Sequence, residues 1–157
     1  MTPRDQPSRD LIARALHETC FVQAGAGTGK TRILVDRVTA LVLSGVPVER
    51  IAAITFTEKA AGELKDRIRT RLEARIRDES ESPPTRATCR DALAGLDAAS
   101  IETLHAFARR ILAMYPLEAG LPPGFQLLDG IQARIAFEDW WRETLDAMLA
   151  DESLAES

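Results

Sequence analysis

Residues Ala24-Gly25-Ala26-Gly27-Thr28-Gly29-Lys30-Thr31 decide how this chain folds. The run follows the pattern Gly-x-x-x-x-Gly-Lys-Ser/Thr, with alanine in place of the first glycine. Just upstream, Cys20-Phe21-Val22-Gln23 reads as a short buried strand, and an apolar-rich helical pattern begins at Lys30. A strand, a glycine loop and a helix N-terminus in that order make an anion site. Backbone N–H groups converge on one spot, where the helix dipole also favours negative charge. The glycines let the backbone close around a phosphate without Cβ clashes. In such a loop Lys30 reaches the β- and γ-phosphates of a nucleoside triphosphate and the Thr31 hydroxyl ligates Mg²⁺. A chance glycine-rich turn does not account for Gly-Lys-Thr between strand and helix signals.

Working outward, Leu11, Ile12, Ala15 and Leu16 recur at helical spacing within residues 4–18, a short amphipathic helix ahead of the first strand. From Lys30 to Ser44 a broad apolar face runs to Gly45, a helix stop. Val46-Pro47-Val48 is a turn-like link. Residues 51–56 then read as a second, fully buried strand, whose unbroken apolar character suits a parallel sheet. A long helix is expected over 57–77, with Thr57 as N-cap and Leu64, Ile68 and Leu72 on its inner side. Residues 78–85 read as loop, 86–96 as a weaker helix and 98–101 as a short third strand. Leu104, Phe107, Ile111, Leu112 and Tyr115 mark another helix, closed by Pro116. A last helix is expected over 131–150, with Ile135, Trp141, Leu145 and Leu149 inside. The strand–helix–strand–helix start implies an α/β fold with a parallel sheet and right-handed crossovers, into which a helical segment is inserted.

A chain of 157 residues buries one core. Its composition, 45% hydrophobic and 28% charged, is that of an ordinary soluble protein. A net charge of −4 argues against a nucleic-acid binder that uses its whole surface, and leaves room for a local basic groove. Residues 128–157 hold eight acids and two bases, so the first 127 residues net +2. No apolar run approaches the roughly 20 residues that cross a bilayer, and Met1 to Gln6 carry no signal-peptide pattern. These features predict a cytoplasmic protein with no membrane partner. Cys20 is expected as a small core residue, outside any disulfide scaffold.

Two further runs carry chemistry. Thr55-Phe56-Thr57-Glu58-Lys59-Ala60-Ala61 lies where the second strand meets its helix, at the carboxyl edge where open α/β sheets place ligands. Hydroxyls, a lysine and a helix N-terminus suit phosphates, and an aromatic ring suits a base, as a single strand of nucleic acid requires. On residue chemistry alone the plainer reading is favoured: Phe56 in the core and Thr57 merely capping. In Thr103-Leu104-His105-Ala106-Phe107, Leu104 and Phe107 belong to the apolar stripe, whereas His105 falls off it and could meet a phosphate. The seven bases from Lys59 to Arg77 read as a solvated helix face.

Taken in order, Ala-Gly-Ala-Gly-Thr-Gly-Lys-Thr, Ile-Thr-Phe-Thr-Glu-Lys-Ala-Ala-Gly-Glu-Leu and Thr-Leu-His-Ala-Phe resemble motifs I, Ia and Ib of the N-terminal portion of UvrD/Rep-type superfamily 1 DNA helicases, with a RecB- and AddA-like flavour. The resemblance covers about residues 5–150. It implies a partial P-loop NTPase (RecA-like) domain: 1–80 as part of domain 1A, 81–116 as its continuation, and 117–157 as the start of a helical 1B-like subdomain. It implies that residues 24–31 bind ATP, with Arg32 approaching the base, and that Lys30 and Thr31 carry the catalytic and Mg²⁺ contacts. It places Thr55, Phe56, Thr57, Lys59, Thr103 and His105 along single-stranded DNA. For the upstream glutamine that reads adenine in the family, Gln6 and Arg9 are both candidates, and the spacing favours Arg9.

The family also needs an Asp-Glu pair after a later apolar strand, and arginines from a second motor domain. Asp151-Glu152 follows no such strand and reads as solvated helix-end charge. The chain is therefore expected to be truncated, inactive alone, and dependent on a partner subunit or the rest of the motor. The alternative is a non-hydrolysing ATP- and DNA-binding module from a split or decayed gene. A small P-loop kinase ranks lower, because it leaves the second and third runs without a role.

Overall fold

The computed structural model describes residues 6–25 and 27–150. Its described elements run α1 (Gln6–Arg14), α2 (Lys30–Leu43), a 3-10 turn (Val48–Arg50), β1 (Ala52–Thr55), α3 (Glu58–Arg77), α4 (Pro83–Gly95), β2 (Ser100–Thr103), α5 (Leu104–Met114) and α6 (Gly130–Ala150). The architecture is α/β, with a two-stranded parallel sheet. β1 pairs with β2 in the register Ala52 with Ser100 through Thr55 with Thr103, and α3 and α4 make the connection between them. The chain divides into two compact units between Ile111 and Leu112, inside α5.

Local chemistry sets the helix ends of the first unit. α2 closes in a Schellman motif: Gly45, at φ 95°, donates to the Val42 carbonyl and Val46 to that of Leu41. The Thr57 hydroxyl caps α3, accepting from the Ala60 amide at 3.1 Å. Ser82 caps α4, accepting from Thr85 at 3.2 Å, and Pro83 and Pro84 supply its first turn. Residues 83–85 are therefore helical rather than loop, because the N–H that proline lacks is one that a helix start leaves unpaired within the helix.

The core lies where α2, α3, α4 and β1 meet. Ile68, Leu72 and Leu96 are fully buried in it, beside Val38, Val42 and Cys89. Burying each such leucine or isoleucine contributes about 1.5–3 kcal/mol. Burial pushes the Cys89 thiol above its ordinary range. At the surface Asp97 ties the end of α4 to α3, accepting from Lys65 at 2.9 Å and Arg69 at 3.3 Å. The hydrogen bond from Lys65 holds its carboxyl below the usual value, and the two positive charges add to this.

In the second unit α6 opens with a reciprocal cap. Asp129 accepts from the amides of Ile131 and Gln132, and the Gln132 side chain accepts from the Asp129 amide. Among the described residues from 112 onward none is buried.

Four further expectations are corrected. Residues 20–23 form no strand, and Phe21 is 94% exposed. A strand exists only through its ladder, and here β1 and β2 ladder with each other while 20–23 pair with neither. Cys20, accordingly, is only partly buried rather than a core residue. The strand expected over 51–56 spans 52–55 and is half-buried, with only Ala53 inside, because nothing among the described residues covers Ala52 and Ile54 on the face opposite Ala53. Finally, Leu104 of α5 and Ile135, Trp141, Leu145 and Leu149 of α6 are exposed, since nothing among the described residues covers those apolar stripes. Asp151-Glu152 lies outside the described residues.

Candidate nucleotide and nucleic-acid site

The loop before α2 depends on two glycines for its path. Gly27 and Gly29 adopt φ 74° and 86°, in the left-handed region where a side chain is strained. Between them the Thr28 hydroxyl donates to the Gly25 carbonyl at 2.8 Å and draws the loop closed. The Lys30 ammonium folds back and donates to the carbonyls of Ala24 and Gly25, at 2.6 and 2.7 Å. Gly29 provides no side-chain cap for α2, so the first amides of that helix are left for an incoming acceptor. Thr31 and Arg32 are exposed at the same helix start. Ala26 lies outside the described residues.

α1 stands against this loop. The Arg9 guanidinium donates to the Thr28 carbonyl at 2.8 Å, whereas the Gln6 side chain donates to Asp10 within its own helix. Beside them opens a cleft of about 460 Å³, bordered by Gln6, Arg9, Arg32, Asp36, Arg71 and Arg75. Asp36 is shared by Arg71 of α3, at 2.8 Å, and Arg32, at 4.0 Å. The cleft is therefore basic, and Arg9, which holds the Thr28 carbonyl, lies on its border.

A second group forms at the carboxyl ends of β1 and β2. Their parallel register sets Thr55 beside Thr103, and a helix starts just beyond each. Thr55 donates to the Thr57 carbonyl at 3.0 Å. Thr103 is buried: its hydroxyl accepts from the Ala106 amide and donates to Glu58, both at 3.2 Å, and so joins the two helix starts. Phe56 is 93% exposed, which sets aside its placement in the core, and Lys59 and His105 are exposed as well. The edge thus presents a free ring, a cation and an imidazole around two helix N-termini. That combination can receive phosphates and a stacked base.

A sequence profile described as the UvrD/REP helicase N-terminal domain matches residues 6–156. The chain belongs to this family. Several similar proteins are named as subunits of an ATP-dependent helicase/nuclease. The one from Leuconostoc mesenteroides is 37% identical over 141 residues, covering 88% of this chain and 11% of the relative. The one from Latilactobacillus sakei is 32% identical over 159 residues, covering 99% of this chain and 17% of the relative. The chain spans about a tenth of the length of the first curated relatives it matches.

Two contacts in this UvrD/REP-family chain escaped the sequence reading. One is the Glu58–Thr103 link between the second and third runs. The other is Arg37 of α2, which donates to the carbonyls of Ile12, Ala15 and Glu18. The only trace of Arg37 in the sequence is a charged residue inside the apolar run from Ile33 to Leu43, and the spacing gives no hint of its acceptors. No described helix is long and apolar enough to cross a membrane.

Proposed function

We propose that this chain is the ATP-binding N-terminal part of a longer ATP-dependent DNA helicase or helicase–nuclease that moves along single-stranded DNA in repair and recombination. The observation that carries the reading is the 24–31 loop: two left-handed glycines, an uncapped helix start and the Lys30 ammonium folded onto the loop carbonyls. An arriving polyphosphate replaces those carbonyls as the partner of Lys30 and takes the free amides of α2. Residues 24–31 then hold ATP, with Arg32 beside the base, and the Thr31 hydroxyl is the protein's ligand for Mg²⁺. Bound Mg²⁺ supplies charge neutralisation across the β- and γ-phosphates. Full closure of a RecA-like sheet belongs to the same reading.

Phe56 stacks on a base, while Lys59, His105 and the helix starts capped by Thr57 and Thr103 meet the DNA backbone. Thr55 and Thr103 act chiefly by shaping those starts, since their hydroxyls are already engaged. The protein works in the cytoplasm. The apolar residues of α6 meet a partner subunit or the rest of the motor.

The chain alone binds without turnover, because groups from a second motor domain stabilise the transition state; one arginine of that kind is worth about 10³–10⁵ in rate. In the full-length protein, Lys30→Ala should lower DNA-stimulated ATP hydrolysis by roughly 10²–10³, the loss typical of one preorganised charge-stabilising donor. Unchanged turnover in that variant would refute the assignment. Measurable steady-state hydrolysis by the purified 157-residue chain would overturn its description as a binding part.

A further inference from the structure

Arg37 lies seven residues beyond Lys30, on the helix that leaves the loop, yet its contacts are with the chain that leads into it. Nη1 donates to the Ile12 carbonyl at 2.5 Å and the Ala15 carbonyl at 3.1 Å, and Nη2 to the Glu18 carbonyl at 3.1 Å. The carbonyls at the C-terminus of a helix have no partner within it, and a cation there also complements the dipole. One guanidinium therefore satisfies the end of α1 and the turn after it, and anchors both to α2. Its planar fork serves three acceptors at once, which a lysine ammonium on a flexible stem does not reproduce.

α1 reaches the loop from the other side through Arg9 and Thr28. Gly29 leaves room for that contact: a Cβ there would come within 3.3 Å of Arg9. The two arginines thus close a ring, with Arg37 joining α1 to α2 and Arg9 joining α1 to the loop. The cleft bordered by Gln6, Arg9 and Arg32 adjoins the loop through the Arg9–Thr28 contact, and Arg32, placed beside the base above, puts the nucleoside on this side; Arg37 does not line the cleft and acts on it through α1.

We infer that Arg37 is a positioning residue for nucleotide binding: it holds α1 against α2 and so keeps the nucleoside side of the site in register with the phosphate loop. The inference rests on the nucleotide reading proposed above. The phosphate contacts belong to the loop and α2 themselves, so loss of Arg37 acts on the nucleoside part and spares the polyphosphate part.

Calorimetric titration of the 157-residue chain with MgATP, and separately with magnesium tripolyphosphate, tests this. Arg37→Met should weaken ATP binding about tenfold and tripolyphosphate binding by less than about twofold, as expected for losing charge-assisted hydrogen bonds on one side of the site. Arg37→Lys, which keeps the charge but not the planar fork, should show the same split at about threefold. Far-UV circular dichroism identifies any variant that fails to fold, and if Arg37→Met does, the split in Arg37→Lys decides. Equal weakening of both ligands would mean only general structural damage and would overturn the inference, as would unchanged affinity for both. If the unaltered chain binds neither ligand, the nucleotide reading itself fails and takes this inference with it. If it binds both but the variants show no split, only the role of Arg37 is lost.

Discussion

α3 and α6 are of nearly equal length, 20 and 21 residues, and both carry an apolar stripe at helical spacing, but they end in opposite circumstances. α3 buries Leu64, Ile68 and Leu72 against α2 and α4, with Ile68 and Leu72 at 0% exposure. α6 buries nothing; Leu149 is 77% exposed, and Trp140 and Trp141 are each at least half exposed. Helical periodicity reports which face gains by leaving water, and says nothing of whether a surface is there to receive it. In α3 that surface comes from neighbouring elements of the same unit. In α6 nothing among the described residues receives the apolar face.

The contrast can be broken by measurement. The largest effect is expected at Leu72: Leu72→Ala should cost about 2–5 kcal/mol in denaturant unfolding, since a fully buried side chain leaves a cavity. Thr57→Ala at the start of α3 should cost about 1 kcal/mol in the same assay, through loss of one N-cap. On α6, Leu149→Ala should change stability by less than about 0.5 kcal/mol, the range of surface substitutions. A cost at Leu149 comparable to that at Leu72 would mean that α6 is packed in solution, and the comparison would fall.

The smallest effect concerns the surface of α3. The folded-state pKa of Asp97 is depressed below its ordinary 3.8 by Lys65 and Arg69. Its contribution is therefore present above that value and lost as pH falls through the folded pKa. Asp97→Asn should flatten the acid limb of a pH–stability profile below about pH 4, slightly, because the carboxylate is solvent-exposed and screened. An identical acid limb in the variant would remove Asp97 from that account.

Much of the first unit was legible because its signals are local. Thr57 before an apolar stripe, Gly45 after one and Gly27 and Gly29 in the loop act within a few residues, and the structure places each where its chemistry requires. The Pro83-Pro84 pair misled, since proline marks a helix start as readily as a loop, and Ser82 decided between them. The strand expected over 20–23 misled for a different reason: its apolar character is a preference for pairing, and no pairing edge meets it. The candidate site divides likewise. Lys30, Thr31 and Phe56 could be named from their motifs, whereas the Arg37 and Glu58 contacts join positions 19 to 45 residues apart.

The chain's sequence by itself determined the loop, the ends of α2 and α3 and the family, because motif spacing, caps and left-handed glycines are short-range matters. Tertiary structure alone decided that β1 pairs with β2, that Thr103 is buried while Phe56 stands free, and that Arg37 spans both flanks of the loop. Those outcomes depend on which donors, acceptors and apolar surfaces meet across the fold, and residues distant in sequence carry no mark of their partners until packing brings them together.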